Sequence, residues 1–226
     1  MTRIICFDIE TTGFDFRRGD RCIDIGAVEI VDGKMTGNDY HEYINPEGKI
    51  IPPDTYKVHK ISNAFLEDKP KMSAVAPRFL EYVGDSLIVA HNGLDFDFPF
   101  INFELARLGL PQIPRSQQAD SMVIARGRLY DTKGFSLDEL ARYFGISLAS
   151  REAGHGALVD AQLLARVYLE LENRAPARDV REIIAEQHQA MLNHPKTAGD
   201  FPRRNFPAHE HEIDAHREFM KKITGQ

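Results

Sequence analysis

Cysteine is scarce in this 226-residue sequence: Cys6 and Cys22 are the only two. That excludes a disulfide framework and a four-cysteine zinc site, and both thiols are expected as reduced core residues. Long apolar runs are missing too, so nothing reaches the ~18 residues needed to cross a bilayer. The opening Met1-Thr2-Arg3-Ile4-Ile5-Cys6-Phe7-Asp8 places a carboxylate where a signal peptide needs continued apolar residues, which points to the cytoplasm. Basic residues are in deficit, with 28 Lys and Arg against 34 Asp and Glu and a formal net charge of −6. Proteins that coat nucleic acid by neutralising its phosphates are usually basic, so that mode is excluded. An acidic chain can still act on nucleic acid where bound divalent cations supply the positive charge. Internal repeats and low-complexity blocks are absent. So are Cys-x-x-Cys and Gly-x-Ser-x-Gly, which removes zinc-deaminase and serine-hydrolase chemistry.

What remains is ordinary globular material, 42% hydrophobic and 27% charged. A chain of this size buries roughly 70% of its unfolded surface and needs no staples. Arg3 to Phe7 reads as a buried strand, and Cys22 to Val31 nearly alternates apolar and polar residues. Asp32-Gly33 marks a turn, and a third strand lies around Tyr40 to Ile44, so the first three strands form an antiparallel meander. Asn45 to Asp54 reads as an irregular connection. Ser73 is placed to cap a helix through Val83, Ser86 to Ala90 is a fourth strand, and a helix carrying Phe100, Phe103, Leu105 and Leu108 stops at Gly109. A fifth strand ends near Ala119-Asp120, Ser136 to Glu139 is a capping box, and a long helix follows Gly156. The pattern is α/β: a mixed five-stranded sheet, three strands antiparallel and then two parallel, flanked by helices. Past Asn173 the texture changes. A catalytic domain is therefore expected over 1–174, with a tail over 175–226 made of a helix from Arg178 to Leu192, a linker from His194 to Pro202 and an amphipathic stretch from His209 to Ile223.

The chemistry-bearing residues stand at strand ends and helix starts. Asp8 and Glu10, two apart on a strand, share one face. Asp97 opens a helix after the fourth strand, and Asp160 lies near the start of the long helix. Each alone is also compatible with a solvated strand end or a favoured acid at a helix N-terminus. Together they form the all-oxygen donor set that Mg²⁺ and similar hard cations prefer. His155, five residues before Asp160, can sit beside such a site and take a proton without being a ligand.

Phe7-Asp8-Ile9-Glu10-Thr11-Thr12-Gly13, then His91-Asn92 with Phe96-Asp97-Phe98-Pro99-Phe100, then His155-Gly156-Ala157-Leu158-Val159-Asp160-Ala161 resemble the three motifs of the DEDD 3′–5′ exonucleases in their histidine form, DEDDh. The second motif ordinarily places its aspartate five residues after the histidine. Here Asp97 is six after His91 and Asp95 four after it; Asp97 is preferred because Phe96 precedes it and Phe100 follows. Ile25-Gly26-Ala27-Val28-Glu29 and Val58-His59-Lys60-Ile61 are most similar to the epsilon-type proofreading exonucleases of bacterial DNA polymerase III. In the tail, Phe206-Pro207-Ala208 and Glu212 to His216 resemble the segment by which such subunits dock on the polymerase.

The resemblance implies an RNase H-like fold and release of nucleoside monophosphates from DNA 3′ ends with two Mg²⁺ or Mn²⁺ ions. Asp8 would bridge the ions, Glu10 and Asp160 would ligate one, Asp97 would hold the second, and His155 would be the general base. Substrate contacts are expected from Asp8, Glu10, Asp160 and the turn at Thr11, Thr12 and Gly13. Asp54 and His59 match positions lining the terminal nucleotide's pocket, and Asn92 either orients backbone or touches the nucleotide. Phe14 and Phe96 either stack on bases or pack in the core. The implied partners are DNA and a polymerase subunit reached through the tail, with a monomer in isolation and no membrane. The alternative substrate is RNA, as in exonucleases of the RNase T and oligoribonuclease type; a non-catalytic scaffold is disfavoured by the complete set of acids and His155.

Overall fold

A computed structural model describes residues 2–129, 131–151, 155–174 and 189. The chain divides into units Met1–His188 and Gln189–Gln226, and the first is described below. The expected tail elements and docking segment lie outside the described residues, apart from Gln189.

Strand β1 (Arg3–Thr11) runs through the middle of a mixed sheet. It pairs antiparallel with β2 (Cys22–Val31) and parallel with β5 (Leu87–Ala90), which in turn pairs parallel with β6 (Gln118–Asp120). Two short strands, β3 (Lys34–Met35) and β4 (Tyr40–Tyr43), pair with opposite ends of β2. The sheet thus has six strands instead of the expected five. The extra one folds back across Asp32 and Gly33, both at positive φ (48° and 77°), and at two residues it is too short to leave a periodic signature.

Alternation along β1 sorts its side chains. Ile5, Phe7 and Ile9 pack with Phe79 of α3 (Met72–Val83) and with Phe98, Phe100 and Ile101 of α4 (Asp97–Arg107). Burying each of these large side chains contributes roughly 1.5–3 kcal/mol. Ile4 and Cys6 point the other way, toward α5 (Ser121–Arg128), α6 (Leu137–Tyr143) and α7 (Ala157–Arg174). Helix α7 presents Ala157, Ala161 and Ala165, all fully buried, at four-residue spacing, so small side chains let its backbone approach the sheet. Ser136 and Glu139 form the expected capping box at α6.

Three local expectations are corrected. The connection after β4 contains helices α1 (Pro53–His59) and α2 (Asn63–Leu66); α1 starts on Pro53, where a helix tolerates proline, and stops at Lys60 with φ +60°. Helix α3 begins at Met72 after Lys71, so Ser73 lies inside it and caps nothing. Strand β1 extends beyond Phe7, because backbone pairing with β2 continues through Thr11 although the apolar run has ended.

Candidate active site

The face of β1 that carries Ile4 and Cys6 continues into Asp8 and Glu10, so the same alternation that packs the core delivers two carboxylates beyond its edge. Opposite them, on β2, stand Gly26 and Asp24. Helix α7 lands on this point. A Cβ on Gly26 would lie 2.1 Å from the Leu158 nitrogen and 2.2 Å from the Ala157 carbonyl carbon, so only glycine admits the helix backbone here. Asp160, in the first turn of α7, is thereby brought to Asp8 and Glu10, and one carboxylate oxygen from each lies within 4.8 Å of the other two. An all-oxygen trio at this separation fits a hard divalent cation.

Asp97, buried at the start of α4, stands just outside the trio, and its charge reaches both Asp8 and Glu10. Asp95 is exposed. The loop leading to Asp97 is stitched by the buried Asp120 carboxylate, which accepts from the N–H groups of Asn92 (3.1 Å), Leu94 (3.2 Å) and Met122 (2.9 Å). Asn92 takes φ +57° and is exposed.

Crowded acids resist ionisation. Burial, then the charges of Asp97, Glu10 and Asp160, hold Asp8 well above the usual carboxylate range. Burial, followed by Asp160, Asp24 and Asp97, pushes Glu10 up to about 8. Burial raises Asp97 to about 7 against backbone hydrogen bonds that favour its charged form. Arg151 opposes the first two shifts. Its guanidinium binds Asp160 through Nε (2.6 Å) and Nη2 (2.5 Å) and reaches Asp138 with Nη1. The exposed His155 places Nδ1 3.0 Å from Asp160 Oδ2, and its backbone N–H donates to the Val58 carbonyl near the end of α1.

The remaining expected residues divide. Thr11 and Thr12 are buried in the turn after β1, with Thr11 Oγ1 donating to the Gly13 carbonyl (2.6 Å) and the Thr12 N–H donating to the Arg21 carbonyl (2.9 Å). Phe14 is 83% exposed, and its ring lies 6.1 Å from that of Phe96, so Phe14 is not a core residue. His59 is buried; its Nδ1 accepts from the Ile61 N–H, and its Nε2 has no partner among the described residues. Burial pushes its pKa down, so the ring is neutral with its proton on Nε2. Asp54 is exposed on α1, paired with Lys57. Sequence reading missed Arg151, Asp138, Asp24 and His41. For Arg151, a cation four residues before His155 was the available signal.

The exonuclease (RNase T) family profile matches residues 5–168. The chain is 37% identical over 225 residues to the DNA polymerase III subunit epsilon of Rickettsia felis, covering 98% of this chain and 96% of that protein. It is 38% identical over 177 residues to the subunit of the same name from Escherichia coli K12, covering 75% and 71%. Among solved structures, exonuclease X in complex with 5′ overhanging duplex DNA superposes with a TM-score of 0.60 at 28% identity, over 81% of this chain and 99% of that one. Exonuclease I, at 17% identity, shares the RNase H-like fold with a TM-score of 0.69 over 85% of this chain and 46% of that one. With a profile spanning most of the sheet and helices, and relatives matched over most of their length, the chain belongs to the exonuclease (RNase T) family.

Proposed function

We propose that this chain is the proofreading 3′–5′ exonuclease of a bacterial DNA polymerase III, hydrolysing the last phosphodiester of a DNA 3′ end and releasing a nucleoside monophosphate. The observation that carries the reading is the convergence of Asp8, Glu10 and Asp160 within 4.8 Å, with His155 on Asp160. Two divalent cations, Mg²⁺ or Mn²⁺, held by these acids and Asp97, would supply the charge that polarises the phosphate and its attacking water. Asp160 orients the His155 ring through Nδ1, leaving Nε2 to take the proton from that water. Phe14 and Phe96 offer stacking faces for bases of any sequence, worth ~1–3 kcal/mol per base. The turn at Thr11 and Thr12, with Asp54, His59 and Asn92, contacts the terminal nucleotide. Residues 175–226 form the segment that joins the polymerase subunit; the full-length match to the Rickettsia felis subunit supports that assignment.

The test is hydrolysis of 3′-mismatched DNA and of single-stranded RNA with Mg²⁺ or Mn²⁺, comparing the wild type with Asp8→Ala and His155→Ala. Mononucleotide release from DNA is expected, abolished by Asp8→Ala and slowed about 10²–10⁴-fold by His155→Ala. RNA degraded much faster than DNA would move the protein to the RNA-trimming branch.

A further inference from the structure

One acid beside the site belongs to no part of the proposed chemistry. Asp24 stands directly across from Glu10 in the β1–β2 register, and like charges so paired normally destabilise a sheet. It is completely buried and lies outside the carboxylate trio, with both of its oxygens hydrogen-bonded. Oδ1 accepts from His41 Nε2 at 2.9 Å, and Oδ2 accepts from the Ala157 N–H at 3.1 Å. His41 is anchored in turn: it lies on β4 opposite Gly26, with its ring 4.6 Å from that of Tyr43 in an edge arrangement.

The Ala157 N–H is one of the donors that a helix leaves unsatisfied at its start. The residue before it, Gly156, has no side chain to offer. The cap therefore comes from a strand 133 residues away in sequence, and its negative charge is also the sign that a helix N-terminus favours. This junction fixes where α7 begins over the sheet, and therefore where Asp160 and the preceding His155 stand relative to Asp8 and Glu10.

From this geometry we infer that Asp24, held by His41, is a positioning residue for the exonuclease reaction: it seats the N-terminus of α7 so that the last metal-binding acid and the general base meet the acids of β1. The inference rests on the exonuclease reading above, and its test keeps the two apart. Mn²⁺ affinity is measured by calorimetry, kcat and KM on a 3′-mismatched DNA, and Tm by thermal melting, for Asp24→Ala, Asp24→Asn, His41→Ala and the Asp24→Ala/His41→Ala double variant. A displacement of about 1 Å at a catalytic group costs about 10²-fold, so Asp24→Ala should lower kcat by about that factor and weaken Mn²⁺ binding, with KM for DNA unchanged. Asp24→Asn, which retains an oxygen for the Ala157 N–H, should recover most of both. His41→Ala should show a smaller loss, and in the Asp24→Ala background it should add nothing further. If Asp24→Ala does not fold, His41→Ala carries the same test, because His41 is partly exposed and its loss leaves the strands paired. Wild-type kcat and Mn²⁺ affinity in folded variants would overturn the inference, as would a loss confined to KM. A wild-type protein that neither binds Mn²⁺ nor cleaves DNA would instead overturn the exonuclease reading, and this inference with it.

Discussion

Replacing Gly26 by alanine adds one methyl group at the point where β2 meets the first turn of α7. The new carbon would lie 2.1 Å from Leu158 N, 2.2 Å from Ala157 C and 2.4 Å from Ala157 O. All three neighbours are backbone, so no rotamer change relieves the clash. To restore ordinary contact, helix and strand must separate by about 1.3 Å in an interior packed at crystal-like density. Forced overpacking of this kind costs about 1–3 kcal/mol. For a unit of this size each kcal/mol moves Tm by roughly 2–4 °C, so a fall of about 2–12 °C is expected. Asp160 rides on the same turn, and a misplacement of about 1 Å should reduce kcat about 10²-fold. Thermal melting, Mn²⁺ calorimetry and single-turnover release from a mismatched 3′ end read the three consequences separately. A Gly26→Ala protein with wild-type Tm, metal affinity and rate would show that α7 is not seated against β2 as described, and the placement of Asp160 would fall with it.

The raised carboxylates give a pH signature. Asp8, Glu10 and Asp97 have higher pKa values folded than unfolded, so the stability they contribute is present below the unfolded carboxylate range and is lost as pH rises through about 7 and 8. Tm in EDTA should therefore fall from pH 6 to pH 8.5, and Mg²⁺ should restore more of it at pH 8.5, since its ligands must be deprotonated; a flat profile refutes the crowding. Arg151→Ala removes the cation spanning Asp160 and Asp138, so Tm should drop in EDTA and the deficit should shrink at saturating Mn²⁺, as melting curves with and without metal would report. Phe14→Ala should leave Tm unchanged, because the ring is 83% exposed, while raising KM for DNA about 5–150-fold if the ring stacks on a base.

The parts of the site legible in the sequence were those written locally. Asp8 and Glu10 follow an apolar run at strand spacing, and the capping box at Ser136 announces a helix within four residues. What escaped depended on distant partners or on backbone alone. Asp24 looks like the polar phase of an alternating strand, and its role appears only when Ala157 and His41 come to it. Helix α1 hides behind Pro52-Pro53, which read as a breaker although proline suits a first helical turn. The apolar run that marks β1 in the sequence ends at Phe7, whereas the ladder to β2 continues through Thr11 and keeps Asp8 and Glu10 at strand spacing.

The order of the elements along the chain also has a consequence in time. Asp8 and Glu10 are made on the first strand, and Asp160 on the last helix described. At 5–20 residues per second, roughly 8–30 s of synthesis separate them. A nascent chain can pair β1 with β2 and bury much of one sheet face while its third carboxylate and its histidine have yet to be made. Nuclease competence thus arrives last, with α7, and a chain cut short before that helix lacks both Asp160 and the histidine that lies on it.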